Sequence, residues 1–271
     1  SSLASMEGEF GIAKTSDNPG TRLKDLVERI YNKTGKQVVL LFDEYDAPLL
    51  TVLHDPERLE TMRTELQSFY SPIKKLDPYL RFVFITGITK FSQLSIFSQL
   101  NNLNNISMLP QYAAMCGITI KELEDNFQEG IAVLAEKYHY SHKQVIDKLL
   151  YHYDGYHFAE DSEGVLNPFS LLSAMNNRKF NNYWFSTGTP TFLVNMMRKF
   201  HTDLTEIDGS KAMQEDFDAP TENMHNVLPL FYQSGYLTIK DYNPRSSMYT
   251  LGYPKQEVKV GLMRMLLPFY V

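Results

Sequence analysis

The run Val38-Val39-Leu40-Leu41-Phe42 leads directly into Asp43 and Glu44. Two adjacent carboxylates can hold a hydrated divalent cation and polarise a water molecule, provided a rigid element delivers them to one edge. A continuous apolar run with β-branched residues predicts a strand buried on both faces of a parallel sheet, with the acidic pair at its carboxyl end. Ligands bind at that edge in open α/β sheets, and the pair matches the Walker B arrangement of nucleoside triphosphatases. In that role Asp43 holds Mg²⁺ and Glu44 orients the attacking water. The plainer alternative is a strand followed by a solvated acidic turn.

Such a triphosphatase also needs a Gly-rich loop ending in Gly-Lys-Ser/Thr, whose backbone N–H groups and lysine cradle the phosphates. No such loop stands before Asp43 in these 271 residues. Gly35-Lys36 enters the Asp43 strand where a phosphate loop would open a helix, so it reads as a turn. Either the phosphate-binding segment lies outside these residues or ATP is not bound in the usual way. The chain opens on small and polar residues without Met and stops inside an apolar pattern at Val260–Val271, so the expectation is a fragment truncated at both ends.

A second apolar run, Tyr79 to Ile88, is followed by Thr89 and Lys90. A hydroxyl at the end of a neighbouring strand senses phosphate by one hydrogen bond, and a lysine there stabilises developing charge, which makes Thr86 and Lys90 catalytic candidates. Their plain alternatives are a hydroxyl satisfying nearby backbone and a solvated lysine. Asp46 is either a supporting partner of the acidic pair or a helix-capping acid. The stretch Phe91–Ser107 alternates Ser, Asn and large apolar residues, as a switch segment or a packed loop and helix both would. His157 reads as packing, and His139 with His142 lack a third metal ligand. Tyr183 and Trp184 either stack on a base or anchor a core. The basic pairs Arg178-Lys179 and Arg198-Lys199 read as solvated helix ends.

The elements that must position these residues are legible in outline. Asp55-Pro56-Glu57 is an N-cap, an N1 proline and a first-turn acid, and Leu59, Met62, Leu66 and Phe69 recur at helical spacing after it. Strand, crossover helix and strand make a right-handed βαβ unit. From Thr119 the pattern turns helical: Thr119 to Glu122 is a capping box, Ser141 caps a helix, and Asn167-Pro168 and Thr189-Pro190 each pair an N-cap with an N1 proline. Asp203–Glu222 reads as a loop or linker. A helix over 223–234, two strands around Asn243–Ser247, and a helix from about Lys255 give the order of a winged-helix module. The predicted division is an ATPase-like core over 1–116, a helical lid and linker over 117–222, and a winged-helix-like module over 223–271.

Composition narrows the partners. With 43% hydrophobic and 13% aromatic residues the chain supplies a sizeable core. A net charge of −6 and a pI near 5.7 give no overall basic field, so DNA is a disfavoured partner. The single Cys116 cannot form an internal disulfide, and no Cys/His cluster has zinc spacing. No secretory signal and no apolar run approaching about 18 residues is present, which predicts a cytoplasmic chain with no membrane partner.

Taken together, LFDEYDAPL (41–49), FITGITKFSQLSIFSQLNNLNNIS (84–107), YDGYHF (153–158), NPFSLL (167–172), NYWFSTGTPTFLV (182–194) and FYQSGYLTIKDY followed by LGYPKQEV resemble the bacterial AAA-ATPase-like family. That family is similar to the STAND and archaeal-type P-loop ATPases. The resemblance covers most of the chain in order. It implies a mostly parallel P-loop-ATPase-like α/β sheet, a helical region and a winged-helix-like end, with a restriction-endonuclease-like nuclease domain often following. It also implies ATP and Mg²⁺ as cofactors and places the family's R-F-G-K-S phosphate loop upstream of Ser1. Two functions are therefore carried forward: a Mg²⁺-dependent ATPase that drives a conformational switch, and a nucleotide-independent module that binds a protein, or less favourably DNA, on the same scaffold.

Overall fold

The computed structural model describes residues 2–11, 16–53, 55–89, 102–184, 191–202, 206–219 and 224–270. Two units divide the chain: residues 1–104 with 220–223, and residues 105–219 with 224–271.

In the first unit α1 (Ser2–Glu9) is tied to α2 (Pro19–Thr34) by the paired hydrogen bonds that Arg22 donates to Glu7, at 2.8 and 2.6 Å. Helix α2 starts where Asn18 Oδ1 accepts the Thr21 N–H and Pro19 presets the first turn. It ends at Gly35, whose φ of 66° is open to glycine and costly to most other residues. Gly35-Lys36 therefore links helix to strand, as the turn reading expects. Strand β1 (Val38–Phe42) follows, then α3 (Ala47–Val52), α4 (Pro56–Tyr70), a 3₁₀ segment (Ser71–Tyr79) and β2 (Leu80–Ile85). Asp55 caps α4 by accepting the Arg58 N–H.

Strands β1 and β2 are parallel neighbours, with Leu41 opposite Phe84 and Phe42 opposite Ile85. This is the expected βαβ arrangement, and the α/β class holds. Phe42 packs edge-on against Phe69 and Tyr70 of α4, at ring separations of 5.8 and 5.2 Å. Burial on both faces, however, is not found. Val39, Leu41 and Phe82 are 49%, 70% and 55% exposed, so burial alternates along β1 with the strand period. A continuous apolar run does not reveal which of its two faces is covered.

The second unit contains α5 (Ile120–Asn126), α6 (Gln128–Tyr138), α7 (His142–Tyr153) and α8 (Pro168–Asn177) around one core. Leu123, Ile131, Leu134, Val145, Leu149, Leu166 and Leu171 are buried there. Thr119 with Glu122 and Ser141 with Gln144 form reciprocal capping boxes, and Asn167 Oδ1 accepts the Ser170 N–H. Thr189-Pro190 lies outside the described residues, and α9 runs Thr191–Lys199.

The loop expected over 203–222 is corrected in part: it contains β3 (Ser210–Ala212) and α10 (Gln214–Phe217). Strand β3 pairs antiparallel with β5 (Met248–Gly252), which also pairs with β4 (Thr238–Asn243). The polar Ser-Lys-Ala strand escapes a periodicity argument because cross-strand pairing, not its own apolar pattern, holds it. The helix expected over 223–234 shortens to α11 (Leu228–Gln233), and α12 (Gln256–Tyr270) follows the hairpin.

Candidate active site at the strand ends

The ladder between β1 and β2 continues past both strands. Thr86 N–H donates to the Phe42 carbonyl at 2.8 Å, and Tyr45 N–H donates to the Thr86 carbonyl at 2.9 Å. These bonds place Asp43 beside Thr86, and the Thr86 hydroxyl donates to Asp43 Oδ1 at 2.5 Å. Sequence reasoning proposed both residues separately; the parallel register joins them. Asp43 and Glu44 are exposed, whereas Thr86 is half-buried. Lys90 lies outside the described residues.

Glu44 adopts a left-handed backbone, φ 53°, which costs a non-glycine residue about 1 kcal/mol. Its carbonyl accepts the Ala47 N–H, closing a turn between strand and helix. A strained backbone at the acid assigned to water activation is a feature that periodicity does not expose.

Asp46 resolves differently from the capping role considered for it. Its carbonyl starts α3 by accepting the Leu49 and Leu50 N–H groups, but its side chain makes no cap bond to the helix. The carboxylate is fully buried and reaches across to the segment after β2. Ile88 N–H donates to Oδ1 at 3.1 Å, while Thr89 N–H and the Thr89 hydroxyl donate to Oδ2 at 2.6 and 2.7 Å. Tyr45 adds a hydrogen bond from its hydroxyl to the Thr89 carbonyl at 3.1 Å. Burial, followed by the nearby Asp46 charge, pushes the Tyr70 phenol up to about 12. Gly87 completes the contact: a Cβ there would stand 2.5 Å from the Tyr45 ring and 2.6 Å from Asp46 Oδ1.

The donor set suits a hard cation. Among the described residues no group of three or more His, Cys, Asp or Glu side chains is placed to hold a metal. Asp43 and Thr86 offer oxygen alone, and Mg²⁺ takes one or two such carboxylates while keeping water and substrate oxygens in its shell.

The other candidates make contacts within the fold. His139 ends α6 in a left-handed conformation, and a ring nitrogen of His142 lies 2.9 Å from Gln128 Oε1. His157 Nδ1 lies 2.9 Å from the Ser162 carbonyl, and its backbone N–H donates to Thr238 Oγ1. Trp184 meets Tyr236 edge-on at 4.7 Å, and Tyr183 N–H donates to the buried Glu257. Arg178 closes α8 in a left-handed cap. No helix among the described residues is long and apolar enough to cross a membrane.

A parallel βαβ unit that carries an acidic pair at one strand end and a hydroxyl at the next defines the class as an α/β protein. Residues 1–97 match the AAA-ATPase-like family, described as predicted AAA-ATPases. The chain is also 36% identical over 273 residues to an uncharacterized protein in the vnfD 5′ region of Azotobacter chroococcum mcd 1, covering 98% of this chain. It spans about half of that relative's length, 49%. No solved structure matches the chain.

Proposed function

We propose that this protein binds Mg²⁺-ATP and hydrolyses it at the strand-end site. The observation that carries the reading is the Thr86–Asp43 hydrogen bond at adjacent parallel strand ends, within the family-matched segment. Thr86 fixes the rotation of the Asp43 carboxylate by occupying Oδ1, and Asp43 then holds the cation. Bound Mg²⁺ supplies neutralisation of the phosphate oxygens. Glu44 accepts a hydrogen bond from the attacking water and orients it in line with the γ-phosphate. Lys90 stabilises the charge that develops there. The helical region 117–222 and the winged-helix-like module 223–271 respond to the nucleotide state as a switch, in a cytoplasmic setting.

The alternative is a protein-binding module indifferent to nucleotide, supported by the exposed Val39, Leu41 and Phe82 on one sheet face. Calorimetric titration separates the two. ATP binding that requires Mg²⁺ and is lost in Asp43→Ala supports the ATPase reading; nucleotide binding unchanged by Mg²⁺ and by Asp43→Ala removes the metal role. An absence of nucleotide binding favours the module.

A further inference from the structure

We infer that Asp46 is a positioning residue for the strand-end site: its buried carboxylate fastens the loop after β2 to the loop after β1 and so sets the geometry of Glu44 and Thr86. The inference rests on the proposed ATPase reading for its functional half.

The physical argument starts from what the buried carboxylate binds. Three donors converge on Asp46, and all come from Ile88 and Thr89, more than 40 positions away in sequence. A carboxylate buried at 0% exposure is costly unless its lone pairs are used, so this pairing is strongly specified. A helix-capping acid would have bonded its own first turn; this one does not.

Both loops are pinned on both sides of the reacting groups. Upstream, the Tyr45 N–H to Thr86 carbonyl bond holds the residue after Glu44 to the strand end. Downstream, the Asp46 and Tyr45 side chains hold Ile88 and Thr89. Glu44 lies between the Phe42 carbonyl, which accepts the Thr86 N–H, and the Tyr45 N–H on one loop, and Gly87 lies between Thr86 and Ile88 on the other. A left-handed Glu44 persists only where surrounding bonds over-determine it, and these are those bonds. Gly87 has no side chain because the two loops touch there. Asp46 thus acts through Glu44 and Thr86, touching neither nucleotide nor metal.

The test compares wild-type protein with Asp46→Asn, Thr89→Val and Thr89→Ser. An amide keeps the size of the carboxylate but gives up one of its acceptor oxygens and its charge, while valine removes only the Thr89 hydroxyl. Three readouts are taken: amide exchange at Ile88 and Thr89, the Glu44 ¹³Cα and ¹³Cβ shifts that report its left-handed backbone, and kcat with KM for Mg²⁺-ATP. The expected result for Asp46→Asn is faster exchange at both amides, Glu44 shifts moved away from left-handed values, and kcat down by about 100-fold with KM within about threefold. Thr89→Val shows a smaller fall in kcat that Thr89→Ser restores, and the double variant Asp46→Asn with Thr89→Val is no worse than Asp46→Asn.

Unmoved Glu44 shifts in Asp46→Asn, or wild-type turnover with kcat within about threefold in that variant, would overturn the positioning role while leaving the ATPase reading intact. Absence of turnover in the wild type, with Glu44 shifts still moved by Asp46→Asn, would remove the ATPase reading and uphold the structural coupling.

Discussion

At the residue scale, the Thr86 hydroxyl donates its one hydrogen bond to Asp43. Replacing it with valine removes that bond while keeping the shape. We expect Thr86→Val to cost stability by about 1 kcal/mol and to lower ATP turnover by at least about tenfold, measured by thermal denaturation and phosphate release. Glu44 offers the opposite signature. Its left-handed backbone suits glycine, so Glu44→Gly should raise stability by up to about 1 kcal/mol while abolishing turnover. A variant that becomes less stable would show that the turn is unstrained. Asp43 and Glu44 were legible as a pair because chemistry writes itself in residue type and adjacency. The Thr86 partnership was legible in kind alone, since only strand register decides which hydroxyl meets which carboxylate. Asp46 was ambiguous for the same reason: its partners lie on another strand, beyond the reach of local spacing.

At the element scale, the helix starts were the clearest signals, because a cap is a local bond between residues three apart. Asp55, Thr119, Ser141 and Asn167 each accept the backbone N–H three residues on. What local spacing could not supply was pairing. Strand β3 exists because Lys211 and Ala212 meet Thr250 and Tyr249 on β5, and the uncovered face of β1 depends on what packs across it. Gly87 belongs to this scale, since it allows two loops to touch. Gly87→Ala should destabilise the first unit by about 1–3 kcal/mol, because the Tyr45 ring and Asp46 must both shift. Chemical denaturation would measure it, and an unchanged midpoint would mean that the loops separate freely.

A second element-scale prediction concerns Glu257, on the first turn of α12 and 2% exposed. Burial raises its pKa, while hydrogen bonds from the Trp184 and Tyr183 backbone pull it down less strongly. A carboxyl with a raised folded pKa binds more protons folded than unfolded. Its stabilising contribution is therefore full below the ordinary value of 4.5 and is lost as pH rises through the folded value. The melting temperature should fall across that window in the wild type and fall less in Glu257→Gln. Equal slopes would show that Glu257 is not the group that titrates.

At the scale of the whole molecule, the family match covers residues 1–97, while the similarity to the Azotobacter protein runs through both units. The strand-end site lies in the first unit, and the motifs YDGYHF, NPFSLL, NYWF and LGYPKQEV gather in the second. There, Gly155 lies against the Pro254 carbonyl, and Tyr183 N–H donates to Glu257, so YDGYHF, NYWF and LGYPKQEV pack against one another. Function in this account therefore rests on a small number of polar atoms at two adjacent strand ends. The most direct measurement is steady-state phosphate release from Mg²⁺-ATP by the wild-type protein and by Glu44→Gln at saturating nucleotide. The account predicts turnover in the wild type and its loss in Glu44→Gln with nucleotide binding retained. Equal turnover in the two proteins, or none in a wild type that has bound Mg²⁺-ATP, would contradict it.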